Sequence, residues 1–446
     1  DGKHVRDANE RSIDAPEVEA VKGVILRHAR AIYGAFDHYS LIGHLGEHGV
    51  GLRDDAGRKI TSYVEAVAKL DVHSIVKGAF NKFVKDCDLE GGMLSQSNLL
   101  STWATVNAES IEAKHKDVHN SKMTLNRHEW LQILVRLAVN KYCHFDPVVG
   151  CPRGSPSEAL DKLCYTHLHG QLPRAAMQNG NIFRKLHLYN EGTDAVIKER
   201  LPSLQSLFHT YANVDWAERC ATNIALAEKH RMSAGEWMLL VHDAGLLEMD
   251  LVDNMSALQA FLWSRIRVID NYSDASEIGL RQMSFEDFLE GLVRLATVMA
   301  LPTRQEIEEA QAFDAAELMH CLRVHSPVQY QEHVTRRTLK WDDGPRQRAH
   351  ILLDHLLVLI IHNVEACAIV ASHAERKANG LSKGDVTIPR KLALVDKPLT
   401  DAMVSRFRKH RADGGKLEHG RIAIHAEEVS AAMMRVESHI MHALRQ

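Results

Sequence analysis

A fourteen-residue segment that occurs twice constrains the fold of this chain more than any other feature. It reads LNRHEWLQILVRLA at 125–138 and MSFEDFLEGLVRLA at 283–296, and its last five residues are identical. In the second copy the apolar residues from Phe288 onward recur at helical spacing, which gathers them on one face. Ser284 stands where an N-cap is expected, and two acidic residues follow it in the first turn. The segment therefore predicts an amphipathic helix that starts after Ser284.

The motifs around this segment also recur in the same order, which indicates an internal duplication. FNKFVKDCDL answers WMLLVHDAGL, and AFDHYS answers LFHTYA further upstream. Asp86 and Arg136 are 50 positions apart in one copy, and Asp243 and Arg294 are 51 apart in the other. Shared order at near-constant spacing predicts a duplicated helical unit, with about fifteen extra residues near the start of the first copy.

Helical periodicity covers most of the chain, so the sequence predicts an all-α protein with only vestigial strands. Prolines and glycines mark the end of each copy. The predicted divisions are a first repeat unit at 18–145, a connector at 146–192, a second repeat unit at 193–303 and a basic helical C-terminal domain at 304–446. Within them we expect single helices at 17–39, 304–325 and 346–378, and a loop at 43–59.

The large apolar side chains of the two copies are assigned to hydrophobic cores. A groove that receives a partner peptide is the alternative use of such a stripe. The predicted core residues are Phe80, Trp130, Leu134, Leu137, Trp237, Phe261, Phe285, Phe288, Leu292 and Leu295.

Charge limits the possible partners. The formal net charge is -4 over 446 residues, which argues against a generally basic nucleic-acid-binding protein. Residues 321–446 nevertheless carry 20 Lys and Arg against 14 Asp and Glu, so the first 320 residues carry -10. This basic part suggests an anionic partner. The residues predicted to contact it are Arg336, Arg337, Arg346, Arg348, Arg406, Arg408, Lys409 and Arg411.

The cysteines and the apolar runs indicate the compartment. Seven scattered cysteines with no CxxC pair are typical of a reducing environment. The longest apolar run, 351–361, is interrupted by Asp354 and His355, so we expect a buried helix and no membrane contact. Because the chain begins with Asp1, the absence of a signal peptide decides little.

Catalytic and metal-binding motifs are weak. HLGEH at 44–48 matches a zinc-protease pattern that would use His44, Glu47 and His48, but that pattern needs a helix and glycines surround it here. THLHG at 166–170 places two histidines two apart, with no further ligand identifiable. Nucleophile and phosphate-binding signatures are missing from the sequence. We therefore predict neither a cofactor nor an enzymatic activity.

The closing segment of each copy resembles the second half of an EF-hand. A calcium loop needs oxygen ligands at positions 1, 3 and 5 and an acid at position 12. In the aligned loops the ligands at positions 1, 3 and 5 are largely absent, and only position 12 stays acidic in both copies, as Glu129 and Asp287. We therefore expect degenerate units that bind no calcium.

The second copy resembles the domain of the tubulin polymerisation-promoting proteins, a degenerate EF-hand-like helical fold. Phe208 and Tyr211 match its opening helix, Trp237, Asp243 and Gly245 its Trp-bearing helix, and MSFEDFLEGLVRLA its closing segment. The first copy departs further, with Phe80 in place of the Trp. Tandem units joined by a motif such as NIFRKLHLY also resemble uncharacterised proteins of ciliated protists.

This resemblance implies a non-catalytic, microtubule-associated structural protein of the cytoplasm and cytoskeleton, placed in the axoneme of a cilium or flagellum. Its expected partners are tubulin in the microtubule lattice or neighbouring axonemal proteins. Two alternatives are left open: a calcium-independent adaptor in a non-ciliary assembly, and a metal-dependent hydrolase built on HLGEH. The resemblance covers about 200 residues and does not reach the C-terminal third.

Overall fold

The fold is all-α, as predicted. The computed structural model describes residues 15–45, 72–91, 94–108, 124–146, 151–212, 231–265, 279–341, 343–381, 386, 388 and 397–418. These residues divide into two compact units, one that ends at Gln178 and one that begins at Asn179. The division falls inside the predicted connector. Residues from 304 onward belong to the second unit, so the structure draws no boundary at 303/304.

The first unit contains the first copy of the repeat and the helices that follow it. Its elements are α1 (Ala15–Arg27), α2 (Ala29–Leu45), β1 (Ile75–Val76), α3 (Lys77–Asp86), α4 (Gln96–Ala108), β2 (Thr124–Leu125), α5 (Arg127–Tyr142), β3 (His144–Asp146), β4 (Cys151–Arg153), α6 (Pro156–Leu163), a π-helical turn (Cys164–Leu168), α7 (His169–Gln171) and a 3₁₀ turn (Arg174–Met177).

The second unit contains the second copy and the C-terminal helices. Its elements are α8 (Gly180–Phe183), a π-helical turn (Arg184–Leu188), α9 (Glu191–Tyr211), β5 (Met232–Ser233), α10 (Ala234–Asp243), α11 (Asn254–Ser264), β6 (Gln282–Met283), α12 (Phe285–Val298), α13 (Arg304–Glu309), α14 (Ala315–His325), α15 (Pro327–Arg337), α16 (Ala349–Ala378) and α17 (Asp401–Ala412).

The two copies use the same short strand pairing. Ile75 pairs with Leu125 across β1 and β2, and Met232 pairs with Met283 across β5 and β6, both antiparallel. Each strand runs directly into a helix, so the pair ties two helix starts together. Leu125 and Met283 occupy the same position in the repeated segment. The third pair, β3 with β4, follows the first copy in a hairpin.

Side-chain caps start the helices of the repeated segment where the sequence places them. Ser284 is the N-cap of α12 and forms a capping box with Asp287. In the first copy Asn126 forms the same box with Glu129 at the start of α5. Both boxes satisfy backbone N–H groups that would otherwise lack a partner.

The predicted core residues lie inside the two units, with one exception. Phe285 is only half-buried, although its ring lies 5.3 Å from that of Phe208. The tryptophan side chains also satisfy their polar atoms, since Trp130 donates to Ile32 O at 3.0 Å and Trp237 to Ala257 O at 2.9 Å. The buried members are Phe80, Trp130, Leu134, Leu137, Trp237, Phe261, Phe288, Leu292 and Leu295.

Helix α16 organises the second unit. It packs against α9, α12, α14 and α17, and its residues from Ala349 to Ala368 are largely buried. Of the described helices it alone is long and apolar enough to cross a membrane, but most of its apolar stretch is buried within the unit. This is the burial expected of a core helix, in agreement with the sequence.

Three helix predictions differ from the structure. The predicted helix at 17–39 is two helices, because His28 forms a turn between α1 and α2. The predicted helix at 304–325 is also two, and Gln311 between them has a φ of 53° that helical backbone does not allow. The loop predicted at 43–59 is wrong at its first residues, since α2 continues to Leu45, and residues 46–59 lie outside the described residues.

Candidate functional site

A hydrogen bond from a buried tyrosine to an aspartate occurs in each unit, at matching places in the repeat. The Tyr39 hydroxyl donates to Asp86 Oδ2 and the Tyr211 hydroxyl to Asp243 Oδ2, both at 2.9 Å. The two aspartates are the last residues of α3 and α10. Burial raises the pKa of both tyrosines. The hydroxyls therefore stay protonated and fasten helix ends.

The acids that would close a calcium loop serve as helix caps. Glu129 accepts from the backbone N–H of Asn126 at 3.0 Å, and Asp287 accepts from that of Ser284 at 2.9 Å. Burial raises the pKa of Asp287 even though these bonds act against the rise. Much of each aligned loop, including positions 1 and 3, lies outside the described residues. Within the described ranges no group of three His, Cys, Asp or Glu side chains could hold a metal ion.

The two histidine motifs have different outcomes. In HLGEH, His44 lies in the last turn of α2, whereas Glu47 and His48 fall outside the described residues. In THLHG the two histidines make separate contacts. His167 lies 2.8 Å from Cys87 O and 2.9 Å from Tyr142 Oη, whereas His169 lies 2.9 Å from His28 Nδ1. The THLHG histidines thus do not share a ligand site.

Among the basic residues of α17, Arg411 lies mostly inside the second unit. Its side chain is 6% exposed, donates to Glu248 Oε2 at 2.9 Å and donates to Gly415 O at 2.9 Å. Arg323 binds the other oxygen of Glu248 at 2.9 Å. Burial alone would raise the pKa of Glu248, but the two arginines lower it overall. Arg411 is thus an internal anchor of α17.

The other basic residues of α17 are partly engaged as well. The Arg408 guanidinium lies 6.0 Å from the centre of the Tyr211 ring, within reach of a cation–π contact. Arg406 is exposed and lies 3.8 Å from Glu375. Lys409 is exposed. The four predicted partner residues of α17 therefore do not form one open basic face.

Arg337 is also turned inward. It is the last residue of α15, is buried, and forms an ion pair with the buried carboxylate of Glu306. Glu306 completes a capping box with Thr303 at the start of α13. Arg337 therefore links two helices of the second unit, which contradicts its assignment to a partner surface.

The remaining basic residues of this region are exposed. Arg336, Lys340, Arg346 and Arg348 all present their side chains to solvent along the end of α15 and the connection to α16. Arg346 donates to the backbone carbonyl of Arg336, which holds the two residues close together. We call these four residues the 336–348 cluster. In this part of the predicted basic surface the four side chains are exposed.

A buried charged cluster near the NIFRKLHLY motif was missed from sequence. Arg184 Nε lies 2.7 Å from Glu290 Oε2, and Arg294 Nε lies 2.8 Å from Glu290 Oε1. Arg294 is fully buried, and its guanidinium lies 4.1 Å from the centre of the Phe183 ring. Arg184 also donates to Ser264 O at 3.1 Å. These contacts fix the π-helical turn to α12.

Both copies contain the residues LVRLA, so this shared segment does not reveal that its arginine is buried differently in the two copies. Arg136 is the counterpart of Arg294, yet it is only half-buried. The aligned position that holds Glu290 in the second copy holds Gln132 in the first. A lone glutamate four residues before the shared arginine was therefore the available signal for a buried pair.

A groove of about 710 Å³ opens beside this turn. One wall comes from the π-helical turn and the start of α9, and the other from the residues that lead into α16. We call it the α9–α16 groove. It is lined by Leu186, His187, Asn190, Glu191, Gly192, Ala195, Pro345, Gln347, Arg348, Ala349 and His350.

Two residues that line this groove, Gly192 and His350, approach each other closely. A side chain at Gly192 would begin 2.8 Å from the His350 ring, so only glycine fits there without a shift. Burial and the charge of Arg294 lower the pKa of His187, which therefore stays neutral near pH 7. Arg348 brings a positive charge to one wall and Glu191 a negative charge to the other.

Comparisons with known proteins add no identification: no protein-family model, curated protein or solved structure matches this chain.

Proposed function

We propose that this chain is a non-catalytic, microtubule-associated structural protein of a ciliary or flagellar axoneme. In this proposal its two helical repeats are degenerate EF-hand-like units of the type found in tubulin polymerisation-promoting proteins. The matching strand pairs, the matching capping boxes and the two Tyr–Asp hydrogen bonds support a common origin of the units. The capping role of Glu129 and Asp287 favours a scaffold over a calcium sensor.

The 336–348 cluster is the observation that carries the proposed contact. Its four exposed cations lie on a chain whose net charge is negative, so they concentrate the available positive charge. The surface of tubulin is acidic, and complementary charge speeds and orients association. Single exposed ion pairs contribute about 0–1 kcal/mol, so the contact must be collective.

Co-sedimentation of the purified chain with microtubules at low salt tests this contact. Replacing Arg336, Lys340 and Arg346 with Glu reverses the charge, and we expect the bound fraction to fall by about tenfold or more. Raised salt should weaken wild-type binding too, because exposed charges are screened beyond about 8–10 Å. Arg348 is left intact because it also lines the α9–α16 groove.

A matched control changes the net charge equally at another place. Lys77, Lys85 and Lys377 are exposed, and their replacement with Glu should leave most of the binding in place. Equal losses in both triple variants would point to net charge alone and refute the cluster. Wild-type pelleting by the 336–348 variant would refute it as well.

Localisation tests the axonemal part of the proposal separately. The full chain, tagged and expressed in a ciliated cell, should concentrate along axonemal microtubules. Diffuse cytoplasmic signal with no enrichment in cilia would favour the non-ciliary adaptor instead.

A further inference from the structure

The α9–α16 groove has the form of a docking site for a short peptide segment. Its volume of about 710 Å³ falls in the range that holds small ligands and anchoring side chains. Leu186, Ala195 and Pro345 contribute apolar surface to it. It lies wholly within the second unit.

A stripe of exposed apolar side chains adjoins the groove. Ile182, Leu186 and Tyr189 are 55%, 62% and 72% exposed. They lie four and three residues apart along the short stretch that contains the π-helical turn. Clustered large apolar side chains at a surface mark contact sites, whereas isolated ones need no explanation. Leu186 belongs to both the stripe and the groove.

The backbone that carries this stripe is unusual. Residues 184–188 form a π-helical turn, closed by a hydrogen bond of 2.8 Å from Tyr189 N to Arg184 O. Such turns are rare and frequently lie at functional sites. Arg184 is held by Glu290, so one side of the turn is fastened to α12. The outward position of Leu186 is therefore set by a fixed framework.

The charged residues around the α9–α16 groove indicate which kind of peptide segment it can bind. Arg348 lines the groove, Arg346 lies two residues before it, and Lys185 is exposed in the π-helical turn. Glu191 is the only acid among the lining residues. Helix α16 also has no side-chain N-cap, and its first two residues line the groove. Carboxylates are favoured near such a rim of cations and an uncapped helix start.

We propose that the α9–α16 groove docks a partner segment in which one large apolar side chain is flanked by carboxylates. The apolar side chain occupies the space beside Leu186 and Pro345, and the carboxylates lie toward Arg348 and Lys185. This inference deepens the proposed function, on which it rests for the choice of an acidic partner. It names the groove, rather than charge alone, as the source of specificity.

Fluorescence anisotropy with the full chain and labelled peptides tests the groove. The probe is a glutamate-rich peptide with one central phenylalanine, and its matched form carries serine at that place. We expect the phenylalanine peptide to bind at least about tenfold more tightly than the serine peptide. Leu186→Asp and Arg348→Glu should each weaken its binding by about tenfold.

Two exposed residues outside the groove provide controls of the same chemistry. Val328→Asp matches Leu186→Asp, since Val328 is 73% exposed, and Lys377→Glu matches Arg348→Glu, since Lys377 is exposed as well. Both controls should bind as wild type does, and circular dichroism should show equal helix content in all variants. Equal binding of the two peptides, or unchanged binding by Leu186→Asp, overturns the proposal.

Microtubule co-sedimentation of Leu186→Asp separates this inference from the proposed function. If peptide binding depends on Leu186 but the wild-type chain does not pellet with microtubules, the result supports the groove and refutes the microtubule contact. Pelleting without specific peptide binding would sustain the microtubule contact and refute the groove. Loss of both activities in Leu186→Asp supports the two together.

Discussion

The two basic stretches of the C-terminal part look alike in sequence but are used differently in the fold. In α17 Arg411 donates to Glu248 and Arg408 lies beside the Tyr211 ring, and both contacts are within their own unit. In the 336–348 cluster the four side chains extend into solvent. A count of lysines and arginines cannot separate charge that holds a helix in place from charge that can meet a partner.

Helical register does separate them. His333 and Val334 are buried on α15, and Arg337 follows them by four and three residues on the same face. In α17 Phe407 is buried, and Arg411 follows it by four residues. Both arginines therefore extend the apolar face of an amphipathic helix. A basic residue in register with buried neighbours is best assigned to the interior, with an acidic partner to be sought there.

The largest expected effect is a difference in unfolding free energy between alanine variants at two adjacent arginines, Arg337 and Arg336. Arg337→Ala leaves the buried carboxylate of Glu306 without its ion partner, and we expect a loss of about 3 kcal/mol in unfolding free energy. This is the low end for a broken buried pair, because the capping box still binds Glu306. Arg336→Ala should change it by less than about 1 kcal/mol. Chemical denaturation measures both, and equal losses would erase the contrast.

A second pair of variants tests the anchor in α17. Arg411→Ala removes the bonds to Glu248 and Gly415, and we expect a loss of about 1.5 kcal/mol, since Glu248 is partly exposed. Lys409→Ala, two residues away and exposed, should stay within about 0.5 kcal/mol of wild type. Thermal and chemical unfolding report the difference. If Lys409→Ala costs as much, α17 is not held by Arg411.

Much of the fold could be predicted because the repeated segment carries its own boundaries. The helix after Ser284 and the extended Met283 before it follow from an N-cap, two first-turn acids and an apolar face. The breaks at His28 and Gln311 could not be read from periodicity. Apolar spacing continues across both, and the residue that His28 contacts at the first break, Asp161, lies 133 positions further along the chain.

The candidate site was harder to predict for a related reason. The sequence shows the basic residues and the helical register of Arg337 and Arg411, but it does not show that the distant acids Glu306 and Glu248 pair with them. The α9–α16 groove joins the NIFRKLHLY motif to residues more than 150 positions later. No local sequence pattern predicts that these two regions lie side by side. The sequence shows Leu186 and Tyr189 as apolar residues but does not show that they are exposed. Their exposure depends on which side of the π-helical turn Arg184 binds to α12.

A smaller effect concerns pH at the base of the 336–348 cluster. Burial and the charges of Arg337 and Arg346 lower the pKa of His333 to about 3, against the opposing bond to Ala300 O. A group with a lowered folded pKa gives its full stability above its unfolded value, near 6.5, and loses it as pH falls toward 3. Unfolding free energy should drop by roughly 1 kcal/mol from pH 7 to 5.5 through this group.

The control for this pH effect is a variant that cannot titrate. His333→Gln should flatten the pH dependence over that interval, whatever its stability at pH 7. Urea denaturation at several pH values gives the slope. An identical slope in wild type and His333→Gln would mean that His333 titrates in the folded unit as it does in water.

The smallest expected effect is a pH dependence of stability that comes from the titration of Glu248. It distinguishes an arginine that anchors a helix from an arginine exposed at the surface. The two arginines lower the pKa of Glu248 against the effect of burial, so the pair stabilises the fold above the ordinary carboxyl pKa and loses that stability as pH falls below it. The stability gap between wild type and Arg411→Ala should therefore narrow in acid, by less than about 1 kcal/mol because Glu248 is partly exposed. Glu248→Gln should remove the narrowing, since an amide has no proton to gain. Arg348 makes no ion pair with a described residue. We therefore expect wild type and Arg348→Ala to have the same unfolding free energy at every pH. A gap of equal size for both arginines would show that the two basic stretches are coupled to the fold alike.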